Sequence, residues 1–129
     1  MKLLLDTHTF LWFIAGSPSL SEPARNSILL EANRRLLSIA SLWEIVIKAS
    51  LGRLDLDSSV PDFVKDQVLA NAIELLGVSP EHLEELKQLP FHHKDPLDRL
   101  IAAQARVEGA RLVSRDRVFD EYGFDRIWD

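Results

Sequence analysis

The chain has 129 residues, 47% of them hydrophobic, which suits one compact domain spanning 1–129 with a core of its own. The absence of cysteine excludes disulfides, thiolate nucleophiles and cysteine-based zinc or iron-sulfur centres, fits a reducing cytoplasm, and leaves oxygen and imidazole as the available metal ligands. A net charge of −5 argues against wrapping nucleic acid by bulk electrostatics, but it leaves a nuclease open: metal-ligating acids are themselves negative, and ten of the fifteen cations are arginines, the better phosphate fork.

Lys2-Leu3-Leu4-Leu5 reads as a short strand buried on both faces. Together with Phe10 to Ala15 it faintly imitates a signal peptide, but Asp6 and His8 interrupt the apolar stretch. No run approaches the roughly 18 apolar residues that would span a bilayer, so no membrane association is expected. A helix is predicted over 7–15, stopped by Gly16-Ser17-Pro18, and a second over 21–33 with Pro23 in its first turn. Another buried strand is expected over 36–39. Ser41 then opens a helix whose apolar positions Leu42, Ile45, Val46 and Ala49 keep helical spacing up to Leu51-Gly52. Asp57-Ser58-Ser59 caps a helix over 60–71, 73–76 reads as a strand, and Ser79-Pro80-Glu81 starts a helix that ends before Pro90. Asp95-Pro96 starts the last long helix, stopped by Gly109. Residues 112–114 form a further strand, and 126–128 suit a terminal one. Strands alternating with helices indicate an α/β domain with a mainly parallel sheet flanked by helices.

In such a fold the chemistry lies at the carboxyl edge of the strands. Asp6, Glu44, Asp98 and Asp116 all fall where an apolar run gives way to a helix start. Each has a structural role open to it: Asp6 and Asp116 as caps, and Glu44 as the third residue of a capping box from Ser41, with Lys48 one turn on for an ion pair. Asp95 is the N-cap before Pro96, whereas Asp98 lies beside Ile101, Ala102 and Ala105 at the edge of the apolar stripe, which makes it the better ligand candidate. Four carboxylates converging on one edge repel one another unless a cation or proton intervenes. One or two Mg²⁺ or Mn²⁺ ions meet that need and suit phosphodiester hydrolysis. His8, His92 and His93 match no zinc spacing and are left outside the site. Trp12 and Trp43 are expected in the core.

Four segments carry a resemblance: Leu4-Leu5-Asp6-Thr7-His8 with Leu11-Trp12, Ser41-Leu42-Trp43-Glu44-Ile45, the run from His92 to Ala105, and Leu112-Val113-Ser114-Arg115-Asp116. In this order and at these intervals the chain resembles a PIN-domain ribonuclease, specifically a VapC-like toxin of a type II toxin-antitoxin pair. The resemblance implies a three-layer PIN fold and a metal-dependent endoribonuclease with Asp6, Glu44, Asp98 and Asp116 as its acidic quartet. It also implies an RNA substrate, a homodimer and inhibition by a cognate antitoxin. Ser114 falls where the family has a hydroxyl beside the last acid and would orient a ligand or water. Asp95 is an extra acid in this version of the motif, and Arg99 and Arg115 are candidates for steering phosphate.

Two other functions compete. A HAD-like Mg²⁺-dependent phosphatase would want an acid two residues after Asp6, where this chain has His8. A non-catalytic PIN-like module binding RNA or protein would not need the full quartet.

Overall fold

In the computed structural model, which describes residues 1–129, four parallel strands form one sheet in the order β3-β2-β1-β4: β1 (Lys2–Leu5), β2 (Arg34–Ser38), β3 (Ile73–Leu76) and β4 (Arg111–Val113). Leu4 lies opposite Leu36 and Leu112, and Leu5 opposite Leu37 and Val113. Because successive strand residues face opposite ways, Leu3, Leu5, Leu37 and Val113 enter one buried cluster while Leu4, Leu36 and Leu112 enter another. The central strands are apolar on both sides for that reason.

Helices cover each face. On the first lie α1 (Thr7–Ala15), α2 (Glu22–Leu29) and α3 (Ile39–Ser50), contributing Phe10, Ala24, Ile28, Leu42 and Ile45 to the core. They are joined by a helix that starts as α4 (Val60–Phe63), widens to π geometry over Val64–Val68 and tightens to 3-10 over Leu69–Asn71. On the second face α5 (Pro80–Gln88) and α6 (Pro96–Glu108) pack with Phe119 and Tyr122. Each fully buried leucine of β1 contributes about 1.5–3 kcal/mol of transfer energy. No helix is long and apolar enough to cross a membrane.

Several boundaries differ from the sequence expectations. Helix α2 stops at Leu29, four residues before Asn33, whose buried side-chain amide donates to the Ser27 carbonyl at 2.9 Å and so stabilises a turn. Ser38, not Ser41, caps α3, accepting from the Ala40 N–H at 3.0 Å. Ser41 is therefore a buried interior residue and Glu44 is not the third residue of a capping box. Residues 126–128 form no strand: Val113 and Ile127 make a single bridge, with the Ile127 N–H donating to Leu112 O at 2.9 Å. Trp43 is not in the core but 61% exposed, and Trp12 is half-buried.

Candidate active site at the carboxyl edge of the sheet

Asp6 directly follows β1 and caps α1, its Oδ1 accepting from the Thr9 N–H at 2.9 Å. Its Oδ2 accepts from the Ser114 hydroxyl, which in turn accepts from the Asp116 N–H at 3.0 Å. One buried hydroxyl at the end of β4 thus links the first and last acids: Ser114 orients the Asp6 carboxylate directly and holds the Asp116 backbone. Burial pushes the Asp6 carboxyl above its ordinary range, and hydrogen bonds from Ser114 and Thr9 pull it back. Asp116 caps the 3-10 turn Arg117–Tyr122 through the Val118 N–H at 3.0 Å.

Asp98 sits in the first turn of α6, which runs back against the sheet and so begins at the strands' carboxyl edge. Its carboxyl is pushed up to about 7, first by burial and then by the Asp95 charge; His93 opposes this, while Asp6 and Glu44 push it further up. Asp95 caps α6 through the Leu97 N–H at 2.9 Å, the role expected of it, and is exposed. Asp6, Asp98 and Asp116 line one pocket of about 240 Å³ together with His8, Trp12 and Arg115.

Glu44 stands beside this pocket rather than in its lining. Its Oε1 accepts from the Thr7 hydroxyl at 2.8 Å, and its Oε2 pairs with Lys48 at 3.1 Å, the i,i+4 pair expected from sequence. Thr7 has one hydroxyl proton. With that proton given to Glu44, Ser41, 3.0 Å from Thr7 Oγ1, becomes its donor, and the chain of hydroxyls fixes α3 to α1.

The residue that sequence reasoning left out is His93. Its Nδ1 accepts from the Asp95 N–H at 3.2 Å, which in the neutral ring places the proton on Nε2. Nε2 lies 2.7 Å from Asp116 Oδ2 and 3.3 Å from Asp98 Oδ2. The available signal was local, a histidine two residues before the N-cap of the helix that carries Asp98. Arg99 corrects a sequence expectation: it is buried and donates to Pro90 O at 2.7 Å and Leu89 O at 3.3 Å, with Phe91 over its guanidinium. It pins the connection between α5 and α6 and faces no phosphate. Arg115 is exposed at the pocket.

A hard divalent cation fits the carboxylates here. Asp98 and Asp116 each bring an oxygen within 4.8 Å of the other and of His93 Nε2, whose proton bridges them in place of a cation, and Asp6 shares the same pocket. Burial is the main cause of the upward push on Asp98, and the Asp95, Asp6 and Glu44 charges add to it; a cation would offset both.

Residues 3–125 match the PIN domain family. Ribonuclease VapC22 of Mycobacterium tuberculosis is 33% identical over 116 residues, covering 89% of this chain and 87% of that protein. In fold the chain is similar to VapBC2 from Rickettsia felis, solved bound to a DNA fragment from their promoter, with a TM-score of 0.74, 19% identity and complete coverage of both chains. It is also similar to DNA-bound VapBC from Salmonella typhimurium, with a TM-score of 0.71 and 24% identity over 100% of this chain and 98% of that one. By family match and by sequence identity over most of its length, the chain belongs to the PIN-domain family of VapC-like ribonucleases.

Proposed function

We propose that residues 1–129 act as a single nuclease domain in which Asp6, Glu44, Asp98 and Asp116 serve a divalent-metal-dependent endoribonuclease, the toxin of a toxin-antitoxin pair. The observation that carries this is the convergence of Asp6, Asp98 and Asp116 on one pocket at the sheet's carboxyl edge, with the Glu44 charge acting on Asp98 from beside it. Membership of the PIN family sets aside the HAD-like reading.

Asp6, Asp98 and Asp116 would hold Mg²⁺ or Mn²⁺, with Glu44 completing the acidic set; when bound, the ion neutralises phosphate charge and activates water. Ser114 keeps Asp6 and Asp116 in their relative positions. Thr7 holds Glu44, and Lys48 balances its charge. Arg115, exposed at the rim, offers a guanidinium to a backbone phosphate.

An antitoxin is supported by a groove of about 630 Å³ beside the site, lined by Leu11, Trp12, Ile14, Leu56 and Phe63 and edged by Asp55, Asp57 and Asp66. That chemistry suits a basic, partly apolar segment. A homodimer is supported by Ile39, Trp43, Ile47 and Leu51, an exposed apolar stripe along α3. A cytoplasmic setting agrees with an RNA substrate and with the absence of cysteine.

Incubating the purified chain with total cellular RNA, with Mg²⁺ or Mn²⁺ and with chelator, tests the activity. Discrete metal-dependent cut sites are expected. Release of phosphate from small esters without RNA cleavage would overturn it, and metal binding without any cleavage would favour the non-catalytic module.

A further inference from the structure

Three aromatic rings form a ladder that runs from the core to the mouth of the carboxylate pocket. Trp128 is buried, Trp12 is half-buried with its ring centroid 5.8 Å from that of Trp128 and tilted 50° to it, and the exposed His8 ring lies 5.7 Å from Trp12, tilted 36°. His8 and Trp12 are one turn apart on α1, so the helix holds both rings on one side. Both line the pocket shared by Asp6, Asp98, Asp116 and Arg115. The inner end of the ladder is anchored in the core, and the outer end stops at solvent.

An exposed ring packed on a second ring is a surface that one more flat ring extends. An unpaired nucleobase is that kind of group, because every base offers a π-face and base-aromatic stacking needs no charge. Lack of charge matters in a pocket walled by three carboxylates, where a phosphate is attracted only by a cation or by Arg115. We propose that His8, supported by Trp12, forms a nucleobase subsite that stacks an unpaired base next to the phosphate presented to the carboxylates. This rests on the nuclease reading above for the identity of the substrate. The subsite gives the enzyme a preference for single-stranded positions and for the more strongly stacking bases. His8 is a positioning residue for one base of the substrate.

His8 is the position to vary, because Trp12 also lines the apolar groove and packs against the core. The Mg²⁺-loaded full chain is titrated with adenosine 5′-monophosphate and with ribose 5-phosphate, and the ring signals of His8 and Trp12 are followed by NMR. The nucleotide should bind at least about fivefold tighter than the sugar phosphate, with ring-current shifts at His8. His8→Ala should bring the two ligands within about twofold, and His8→Phe should restore the difference. Equal binding of both ligands to the wild-type chain, or a base advantage that survives His8→Ala, would overturn the proposal. Cleavage of total RNA by the same preparations separates the two ideas. Base-selective binding without cleavage sinks the nuclease reading and leaves the subsite standing, whereas cleavage without base-selective binding sinks the subsite alone.

Discussion

His93 Nε2 lies 2.7 Å from Asp116 Oδ2, joining the loop before α6 to the end of β4. The same nitrogen is 3.3 Å from Asp98 Oδ2, so one imidazole occupies the space between two carboxylates that repel each other. The Phe119 ring packs against the imidazole, its centroid 5.5 Å away.

Replacing His93 by alanine should therefore leave the two acids without their shared donor. In chelator at neutral pH, His93→Ala should melt about 3–6 °C below wild type, the scale of one lost charge-assisted hydrogen bond. Excess Mn²⁺ should close most of that gap, because a cation can take over the same space. Thermal melts under both conditions provide the check; an equal deficit with and without Mn²⁺ would count against a cation site there.

Asp98 makes stability depend on pH. Its carboxyl is held near 7 in the folded chain against 3.8 as a free side chain, so between those values the fold retains a proton that the unfolded chain has lost. Ionising it within the fold costs stability, and that cost grows as pH rises from about 4 through about 7. In chelator Asp98→Asn should lack this slope and melt higher than wild type at pH 7.5, by a few degrees. Mn²⁺ should raise the wild-type midpoint more than that of the variant, which lacks a ligand. A variant less stable than wild type in chelator, with no metal response in wild type, would refute the assignment.

Substitution of the proposed ligands separates chemistry from capping. Asp6→Asn, Glu44→Gln, Asp98→Asn and Asp116→Asn should each lower RNA cleavage by at least about a hundredfold with the fold retained. Asp95→Asn should keep substantial activity, since asparagine is an equally good N-cap. Rates on one mapped RNA site, with circular dichroism of each variant, decide between them; equal loss at Asp95 and Asp98 would remove the distinction.

The two arginines should part in the same way. Arg99→Ala removes a buried guanidinium from several backbone carbonyls and should destabilise the fold by about 2–3 kcal/mol. Arg115→Ala should leave stability within about 0.5 kcal/mol. It should weaken RNA binding evenly across sequences and lower the salt slope by about one. Denaturant unfolding and salt-dependent RNA binding measure both; a large loss of stability at Arg115 would contradict its exposed placement.

Much of the fold is written in local sequence. Unbroken apolar runs mark β1 and β2, because strands buried on both faces carry no alternation, and Ser21, Ser59, Ser79 and Asp95 are caps whose side chains accept from nearby backbone N–H groups in the structure. Asp6, Asp98 and Asp116 were legible for the same reason, since Asp6 and Asp116 are N-caps after strands and Asp98 lies in the first turn of α6, whereas Glu44 sits mid-helix in α3 and only the packing of α3 against α1 brings it near them. The rest depends on which segments meet in space. Ser38 and Ser41 are equally plausible caps in sequence, and only the end of β2 decides between them. Trp43 and Trp12 look alike as aromatic residues in apolar helices, yet one faces solvent and the other leads to the pocket, because the sheet covers a single side of each helix. Arg99 and Arg115 both sit one residue from a proposed ligand, and tertiary packing buries the first against the α5–α6 connection while leaving the second at the pocket rim. His93 matches no ligand spacing, because its partners are five and twenty-three residues away along the chain and are brought to it only when α6 docks on the sheet beside β4.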